Sequence, residues 1–248
     1  MTQKELYERI VSGFLALPGM RDLLSENVTV RARALTPQEA IGETERKDYP
    51  ILTGKDVMIE AEYKGSFGQA FTDAPASFSG TLKEVLELPF ETDAHARGLL
   101  IATINAVMGS MGLCDRMVHC RNDGPKRCGR EAAAYVKTRY GDPRVALIGY
   151  QPSFLENLTK TLTSVRVLDL DPGNVGQTRF GIVVGDGASE REAAIAWANL
   201  ILCTGSTVCN GTLVDYLDTG KPTLFYGTTL AGAAALLHLP RLCFADMD

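Results

Sequence analysis

The amino-acid sequence predicts an α/β protein whose C-terminal half carries a parallel sheet. Between residues 145 and 244, short apolar segments alternate with helical ones, which is the pattern of βαβ units. Before residue 110, short strands come first and helices follow, which indicates a separate α+β unit. The composition, with 45% hydrophobic and 22% charged residues, is typical of a globular protein. We therefore expect two domains, at residues 1–110 and 111–248.

The N-terminal unit is predicted to begin with an amphipathic helix. Leu6, Ile10 and Phe14 recur at helical spacing, and Pro18 ends the run. The strands that follow alternate apolar and polar side chains, which favours antiparallel pairing. The predicted elements are a helix at 4–17, strands at 28–34, 57–63 and 69–71, a polar loop at 42–54, a helix at 81–88 and a longer helix capped by Asp93, with its apolar stripe between residues 99 and 108.

The C-terminal unit is predicted to be a Rossmann-like parallel sheet. Gly141 and Pro143 stop a helix before the first strand, and Ser189 with Glu192 forms the pattern of a capping box. Right-handed crossovers would join the strands into one sheet. The predicted strands lie at 145–148, 165–169, 181–184, 200–203, 223–226 and 241–244, and the predicted helices at 132–140, 153–162, from 189 onward, 210–218 and 231–237.

The net charge and the hydropathy of the sequence limit which partners and which cellular compartment we expect. The net charge of −5 gives no reason to expect binding to nucleic acid or to an anionic membrane. No apolar run approaches the roughly 18 residues that a membrane span needs, and residues 1–12 lack the order of a signal peptide. We therefore expect a cytoplasmic protein whose six cysteines are mostly reduced thiols.

The turns that follow four of the predicted strands are rich in glycine, hydroxyl and amide side chains. Ligands of open parallel sheets bind beyond the carboxyl ends of the strands, where helix N-termini attract anions. Caps and ordinary turns use the same residue types, so each turn alone has a structural explanation. The candidate ligand-binding residues are Gly149, Tyr150, Gln151, Asp169, Asp171, Asn174, Thr204, Gly205, Ser206, Asn210, Thr212, Gly227 and Thr228.

The sequence does not carry the glycine fingerprint of a dinucleotide site. A motif that began at Gly149 would need glycine at Gln151 and Phe154, and neither side chain allows close backbone approach. Asp169, however, lies about twenty residues after Gly149, where a ribose-binding acid falls. A nucleoside cofactor, either SAM or a dinucleotide, therefore stays as an alternative ligand.

Cysteine and histidine residues cluster between positions 114 and 128. Thiolate and imidazole are ligands that zinc, copper and nickel prefer, so we name His119, Cys120 and Cys128 as candidate metal ligands. The spacing is not that of paired knuckles, and reduced structural thiols are the alternative. The basic residues 126, 127 and 130 would, in a third interpretation, make Cys128 a reactive thiol.

Three further cysteines and one loop complete the candidates. Cys203 and Cys209 flank the turn at 204–206, and each either faces the crevice or is buried in the core. Cys243 is expected in the core. The loop around Arg46 also holds Glu43, Asp48 and Tyr49. If it folds over the strand ends, it would supply acid/base or anion-binding groups; otherwise it is a solvated arm.

Several segments together resemble the family known as "putative heavy-metal chelation", a domain of unknown function. The segments are 42–50, 68–73, 119–120, 148–152, 168–174 and 204–212. The resemblance covers nearly the whole chain. It implies a first domain similar to the enolase N-terminal domain, a second Rossmann-like domain and a site between them, without enolase chemistry, since the barrel that carries that chemistry is absent.

The leading functional hypothesis is a protein that handles a metal ion, or a small anionic ligand, in the cleft between the two domains. A divalent or heavy-metal ion is the expected cofactor. The alternative is an enzyme that uses a nucleoside cofactor, and a third possibility is an assembly subunit with a vestigial crevice. No complete catalytic signature identifies a reaction. A homo-oligomer is expected on general grounds alone, because most soluble oligomers are homo-oligomers.

Overall fold

The computed structural model describes residues 1–25, 29–53 and 57–244. Helices and strands of the first part are α1 (Gln3–Leu15), α2 (Met20–Ser25), β1 (Thr29–Ala34), α3 (Pro37–Ile41), α4 (Pro50–Thr53), β2 (Val57–Tyr63), β3 (Ser66–Thr72), β4 (Phe78–Thr81), α5 (Leu82–Leu86) and α6 (Ala94–Ser110). Those of the second part are α7 (Gly124–Tyr140), β5 (Val145–Ile148), α8 (Pro152–Thr161), β6 (Val165–Asp169), β7 (Thr178–Arg179), β8 (Ile182–Asp186), α9 (Arg191–Trp197), β9 (Leu200–Thr204), α10 (Thr207–Asn210), the 3₁₀-helix η1 (Thr212–Tyr216), β10 (Thr223–Tyr226), α11 (Ala231–Leu237) and β11 (Arg241–Leu242).

The first part holds a four-stranded antiparallel sheet in the order β3-β2-β1-β4. The antiparallel pairing agrees with the alternation of side chains in the sequence. Of the strand predicted at 28–34, Val28 lies outside the described residues, and so does Gly54 of the predicted loop at 42–54. That loop contains one short helix, α4.

The second part holds a seven-stranded sheet in the order β11-β10-β9-β5-β6-β8-β7. Its strands are parallel except for β7, which pairs antiparallel with β8. Numbered among themselves, the six parallel strands lie in the order 6-5-4-1-2-3, so the strand order reverses between β5 and β9. The predicted α/β fold class is confirmed, and the reversal marks where a crevice opens in a sheet of this kind.

Apolar side chains cover both faces of the parallel sheet. Val145 and Leu147 of β5 pack with α7 and α8, whereas Ala146 and Ile148 belong to a cluster that continues into the antiparallel sheet. Strands with both faces buried read as continuous apolar runs, which explains why β5 and β9 are recognisable in the sequence. The domain boundary at residue 110 stays a prediction, since this second cluster joins the two parts of the chain.

Helix α6 lies at the centre of that shared cluster. Every residue from Ala96 to Met108 is buried, because α6 packs against β2 and β3 on one side and against α10 and α11 on the other. A helix that is apolar on all sides is the kind that a core encloses. The predicted apolar stripe was therefore too narrow.

Three predicted helix boundaries are wrong. Helix α7 begins at Gly124 rather than at 132, so Cys128 lies inside a helix. Helix α9 begins after Ser189, whose hydroxyl donates to Asp186 Oδ2 (3.0 Å) instead of capping the helix. The predicted helix at 210–218 is two pieces, because Gly211 adopts a left-handed conformation (φ 84°) between α10 and η1.

Among the residues that the structure describes, none of the helices combines the length and apolar character that a membrane span requires.

Candidate functional site

A cavity of about 180 Å³ opens at the carboxyl ends of β5, β6, β9 and β10, where the strand order reverses. The candidate ligand-binding residues line it, except Asn210 and Thr212, and so do the three candidate metal ligands. Of the loop around Arg46, the candidates Glu43, Arg46 and Asp48 do not line it. Asn210 and Thr212 line a second cavity of about 400 Å³, which shares Gly149, Asp169 and Thr204 with the first. We call the two cavities together the cleft.

The opposite wall of the first cavity comes from the N-terminal part of the chain. Side chains of this wall are Ile41, Tyr49, Pro50, Ile51, Met58 and Phe71. Most of them are apolar, and only Tyr49 was among the candidates. Their sequence signal is weak because they lie in a polar loop and on strand faces that read as ordinary core. The cleft therefore lies between the two sheets, and both halves of the chain build it.

The glycines of the cleft have different roles. Gly149 has φ 84°, and a Cβ there would lie 2.7 Å from Thr204 Cγ2, so both backbone and packing require glycine. A Cβ at Gly205 would lie 2.8 Å from Leu230 Cβ, so this glycine allows close packing of the chain rather than approach to a ligand. Gly227, with φ 97°, faces open space and is the glycine at which a ligand has room to approach.

Hydroxyl groups at the end of β9 and in the segment after it bond to partners within that same segment. Thr204 Oγ1 and Ser206 Oγ lie 3.0 Å apart, and Thr207 Oγ1 donates to the Thr204 carbonyl (2.7 Å). Asn210 Oδ1 accepts from both the backbone and the hydroxyl of Thr212. Helix α10 has four residues, so its dipole is small. These contacts are turn and cap interactions, which were the structural explanation considered for this segment.

The charge of the cleft is acidic. Asp169 and Asp171 line both cavities, and Asp73 and Asp215 line the second. Within the described residues, the lining of the first cavity contains no lysine or arginine. The second contains Arg191, whose guanidinium lies 2.5 Å from Asp215 Oδ2. This wall favours a cation or a neutral molecule over an anionic ligand.

Asp169 is held by the backbone at the end of β6. Its Oδ2 accepts from the Tyr150 N–H (2.5 Å) and its Oδ1 from the Asp171 N–H (2.7 Å). Burial nevertheless raises the pKa of Asp169. Gln151 caps α8 by accepting from the Phe154 N–H (2.7 Å), so its side chain has a structural role.

Tyrosine side chains fix the geometry around the strand ends. The Tyr226 hydroxyl donates to the carbonyls of Ile148 (3.0 Å) and Gly149 (2.9 Å), and its ring stacks on Phe154 at 4.5 Å. The Tyr150 hydroxyl points to Asp48 Oδ2 (3.4 Å), and burial raises the pKa of Tyr150 to about 12. Tyr226 was predicted only as a strand residue, because nothing in its local sequence indicates that it bridges β5 and β10.

The three candidate metal ligands line one cavity together with Cys243. His119 Nδ1 lies 2.7 Å from the Cys120 carbonyl oxygen. Because a carbonyl oxygen only accepts hydrogen bonds, the neutral imidazole carries its proton on Nδ1. The lone pair is then on Nε2. Burial lowers the pKa of His119. Burial, with Cys128 and Cys243 nearby, raises the pKa of Cys120 to about 12. The expectation that Cys243 is a core residue is wrong, since it lies at the cavity.

The cysteines are thiols, and the described residues form no metal cluster in advance. All six cysteines lie in the described residues without disulfides. In that same part of the chain, no group of three or more His, Cys, Asp or Glu side chains is arranged to hold a metal ion. Cys203 is fully buried and Cys209 lines the second cavity.

Two buried amides connect the cleft to the antiparallel sheet, and sequence reasoning missed both. Gln69 accepts the His119 N–H (2.7 Å) and donates to Glu60 Oε2 (2.8 Å). Asn105 donates to the carbonyls of Gln69 and Thr229 (both 2.9 Å) and accepts from the Gly232 N–H (2.7 Å). For Asn105 the available signal was an amide inside a mostly apolar helix, and for Gln69 it was a position in the segment 68–73 of the family resemblance.

The comparisons with known proteins agree with this architecture. Residues 133–238 match the model of the DUF364 family, described as "Putative heavy-metal chelation". No curated protein matches the chain.

Two crystal structures of proteins with unknown function from the DUF364 family share the fold. The one from Pyrococcus horikoshii is 16% identical with a TM-score of 0.50, and the alignment covers 90% of this chain and 79% of that protein. The one from Desulfitobacterium hafniense DCB-2 is 12% identical with a TM-score of 0.53, over 95% of this chain and 83% of that protein. The predicted resemblance to the DUF364 "Putative heavy-metal chelation" family is thus confirmed over residues 133–238, a little under half of the chain.

Proposed function

We propose that this protein binds a soft metal ion in the cleft between its two sheets. The observation that carries the proposal is that the sulfur atoms of Cys120, Cys128 and Cys243 belong to side chains lining the same cavity as His119. Thiolate and imidazole together select zinc, cadmium, copper(I) and related ions. The description of the matching family supports the same class of ligand.

The donor chemistry fits such an ion in two further respects. The hydrogen bond from His119 Nδ1 to a backbone carbonyl is the orientation that metal-binding histidines use, because it leaves Nε2 to coordinate. The carboxylates of Asp169 and Asp171 add negative charge to the cavity. Since no three donors are already arranged around one point in the described residues, binding would have to draw them together. A metal with a small anionic chelator is less favoured by the acidic wall.

A cadmium titration tests this proposal. We expect the purified protein to bind Cd²⁺ with the ultraviolet absorbance of a thiolate complex, because Cd²⁺ binds thiolates. Replacing Cys120 or Cys128 by serine should weaken binding by about tenfold or more, since loss of even a residue that only orients a metal ligand costs about that much. The matched control is Cys114→Ser, which removes a partly buried thiol that does not line the first cavity.

The pH dependence of that titration has a defined sign. Binding to Cys120 requires loss of its proton, and the pKa of this thiol lies at about 12. Affinity should therefore rise with pH across the neutral range, by up to about tenfold per pH unit for each thiol that loses a proton. Equal affinity at pH 6 and pH 8, or equal loss in the Cys114→Ser control, would contradict a thiolate site.

A nucleoside ligand is the second candidate, and the position of Asp169 favours it. This carboxylate ends the second parallel strand beside the turn that follows the first, where a ribose-binding acid lies in sheets of the Rossmann type. Its partly buried oxygens still have acceptor capacity after the two backbone bonds and the hydrogen bond from the Asn174 side chain. The apolar wall opposite would suit a purine ring.

Thermal shifts with nucleosides distinguish this candidate from the first. A nucleoside, SAM or dinucleotide that binds should raise the melting temperature by mass action. Asp169→Asn should then weaken binding by roughly ten- to a hundredfold, the value of hydrogen bonds to a charged acceptor. Asp186→Asn, at the end of the neighbouring strand β8 and outside both cavities, is the control. The absence of any shift at millimolar ligand would remove the candidate.

A further inference from the structure

We infer that residues 42–50 form a lid over the cleft and that the guanidinium of Arg46 is the latch that holds it closed. The inference deepens the proposed function, because it assumes that the cleft is where the ligand binds. The movement of the lid itself can be measured without any ligand.

The latch joins the lid to two elements on the other side of the cleft. The Arg46 guanidinium lies 2.5 Å from Glu156 Oε2 on α8 and 2.5 Å from Asp48 Oδ1 within the lid. It also lies over the ring of Phe180, 5.1 Å from its centroid, in the turn between β7 and β8. One side chain thus ties residues 42–50 both to the helix after β5 and to the hairpin at the edge of the parallel sheet.

The far end of the lid forms part of the cavity wall. Tyr49 is buried and lines the first cavity, and its hydroxyl lies 2.8 Å from Ser153 Oγ on α8. Asp48 is the acceptor for the hydroxyl of Tyr150, a cavity residue. Displacement of the lid would therefore remove one wall and change the contacts of the residues at the strand ends.

The attachment of the lid is made almost entirely by side chains. Among the residues that the structure describes, no backbone-to-backbone hydrogen bond joins residues 43–48 to another element. The Glu43 N–H instead donates to Asn122 Oδ1 (3.0 Å). Segments with few backbone bonds and little apolar burial open at low free energy, and ionic contacts weaken further with salt. Residues 43–48 are therefore the part of the N-terminal wall whose attachment depends on side chains, and we place the movement there.

The test uses hydrogen exchange and a matched pair of substitutions. Arg46→Met removes the latch, and Glu156→Gln removes its anchor on α8. Lys160→Met is the control, because Lys160 contacts the same Glu156 carboxylate (2.6 Å) without touching the lid. Amide exchange over residues 42–50 should become roughly three- to tenfold faster in the first two variants, as expected for a lost partly buried ion pair. The control should match the unmodified protein, and exchange in β5, β6 and β9 should be unchanged in all variants.

Thiol labelling gives a second measurement on the same variants. A bulky neutral maleimide should modify Cys120 faster when the latch is removed. The labelling rate with a small alkylating reagent should increase less, because only a large reagent needs the lid to open before it can reach the thiol. Cys203, which is fully buried, reports global opening. Unchanged exchange at 42–50 in Arg46→Met, an equal increase in Lys160→Met, or an equal increase in β5 would each overturn the lid. A working lid with no Cd²⁺ binding would instead refute the metal proposal alone.

Discussion

Replacing Asn105 by leucine is expected to lower the free energy of unfolding by about 3–5 kcal/mol, although the two side chains have similar volume. Asn105 is fully buried and makes three hydrogen bonds, to Gln69, Thr229 and Gly232. Leucine would leave two carbonyls and one N–H in the core with fewer partners. Each buried polar group that loses its partner costs about 1–3 kcal/mol, and the Gly232 N–H, in the first turn of α11, has no partner within its own helix.

The chain provides a control on the same helix for this prediction. Thr103 is buried on α6, and its hydroxyl has no hydrogen-bond partner in the described structure. Thr103→Val removes that hydroxyl at almost constant volume and should be neutral or slightly stabilising. Urea unfolding of the two variants measures the difference directly. A small effect of Asn105→Leu, comparable to that of Thr103→Val, would show that the three bonds contribute little.

Asn105 also positions the cleft. Its bond to the Thr229 carbonyl holds the loop after β10, and the Thr229 hydroxyl accepts the N–H of Phe71, which lines both cavities. Asn105 thus links α6 to β3, to the loop after β10 and to α11, and we expect its loss to change the shape of the cleft. Any ligand measured in the cleft should bind more weakly to Asn105→Leu than to Thr103→Val.

The sequence predicts best the elements whose apolar pattern is local. Strand β2 at 57–63 and helix α11 at 231–237 agree with the sequence interpretation residue for residue. Strands β4 and β7 were not predicted, because the segments Phe-Ser-Gly-Thr and Thr-Arg carry little apolar pattern and become strands only by pairing with β1 and β8. In such short segments, the preference of each residue is weaker than the tertiary contact that selects the conformation.

The position of the cleft was also predictable, since the carboxyl ends of parallel strands share one edge. The roles of individual residues were less so. Gly205 was chosen as a glycine that admits a ligand, yet it admits the backbone of Leu230. Asn105 was overlooked because its partners lie 36, 124 and 127 residues away. Sequence pattern therefore identifies the edge of the sheet, whereas side-chain partners that converge from different elements require the fold.

The contact between β3 and α6 gives the second large effect. Gly68 on β3 faces the helix so closely that a Cβ would lie 2.1 Å from the Ala106 nitrogen and 2.4 Å from the Ala102 carbonyl oxygen. These are backbone atoms, which cannot rotate away as a side chain does. Gly68→Ala must therefore push the strand and the helix apart along the interface that carries Asn105.

We expect Gly68→Ala to destabilise the protein by at least about 3 kcal/mol, the upper range for overpacked cores. Gly13→Ala on α1 is the matched control, because its Cβ would meet only Leu236 at an ordinary 3.7 Å. Alanine is favoured over glycine inside a helix by roughly 0.5–1 kcal/mol, so this control should stabilise. Thermal unfolding should thus move in opposite directions for two identical chemical changes. Equal changes in the melting temperature of the two variants would contradict the close approach of β3 to α6. The contact that we expect to fix the N-terminal wall of the cleft would then be absent.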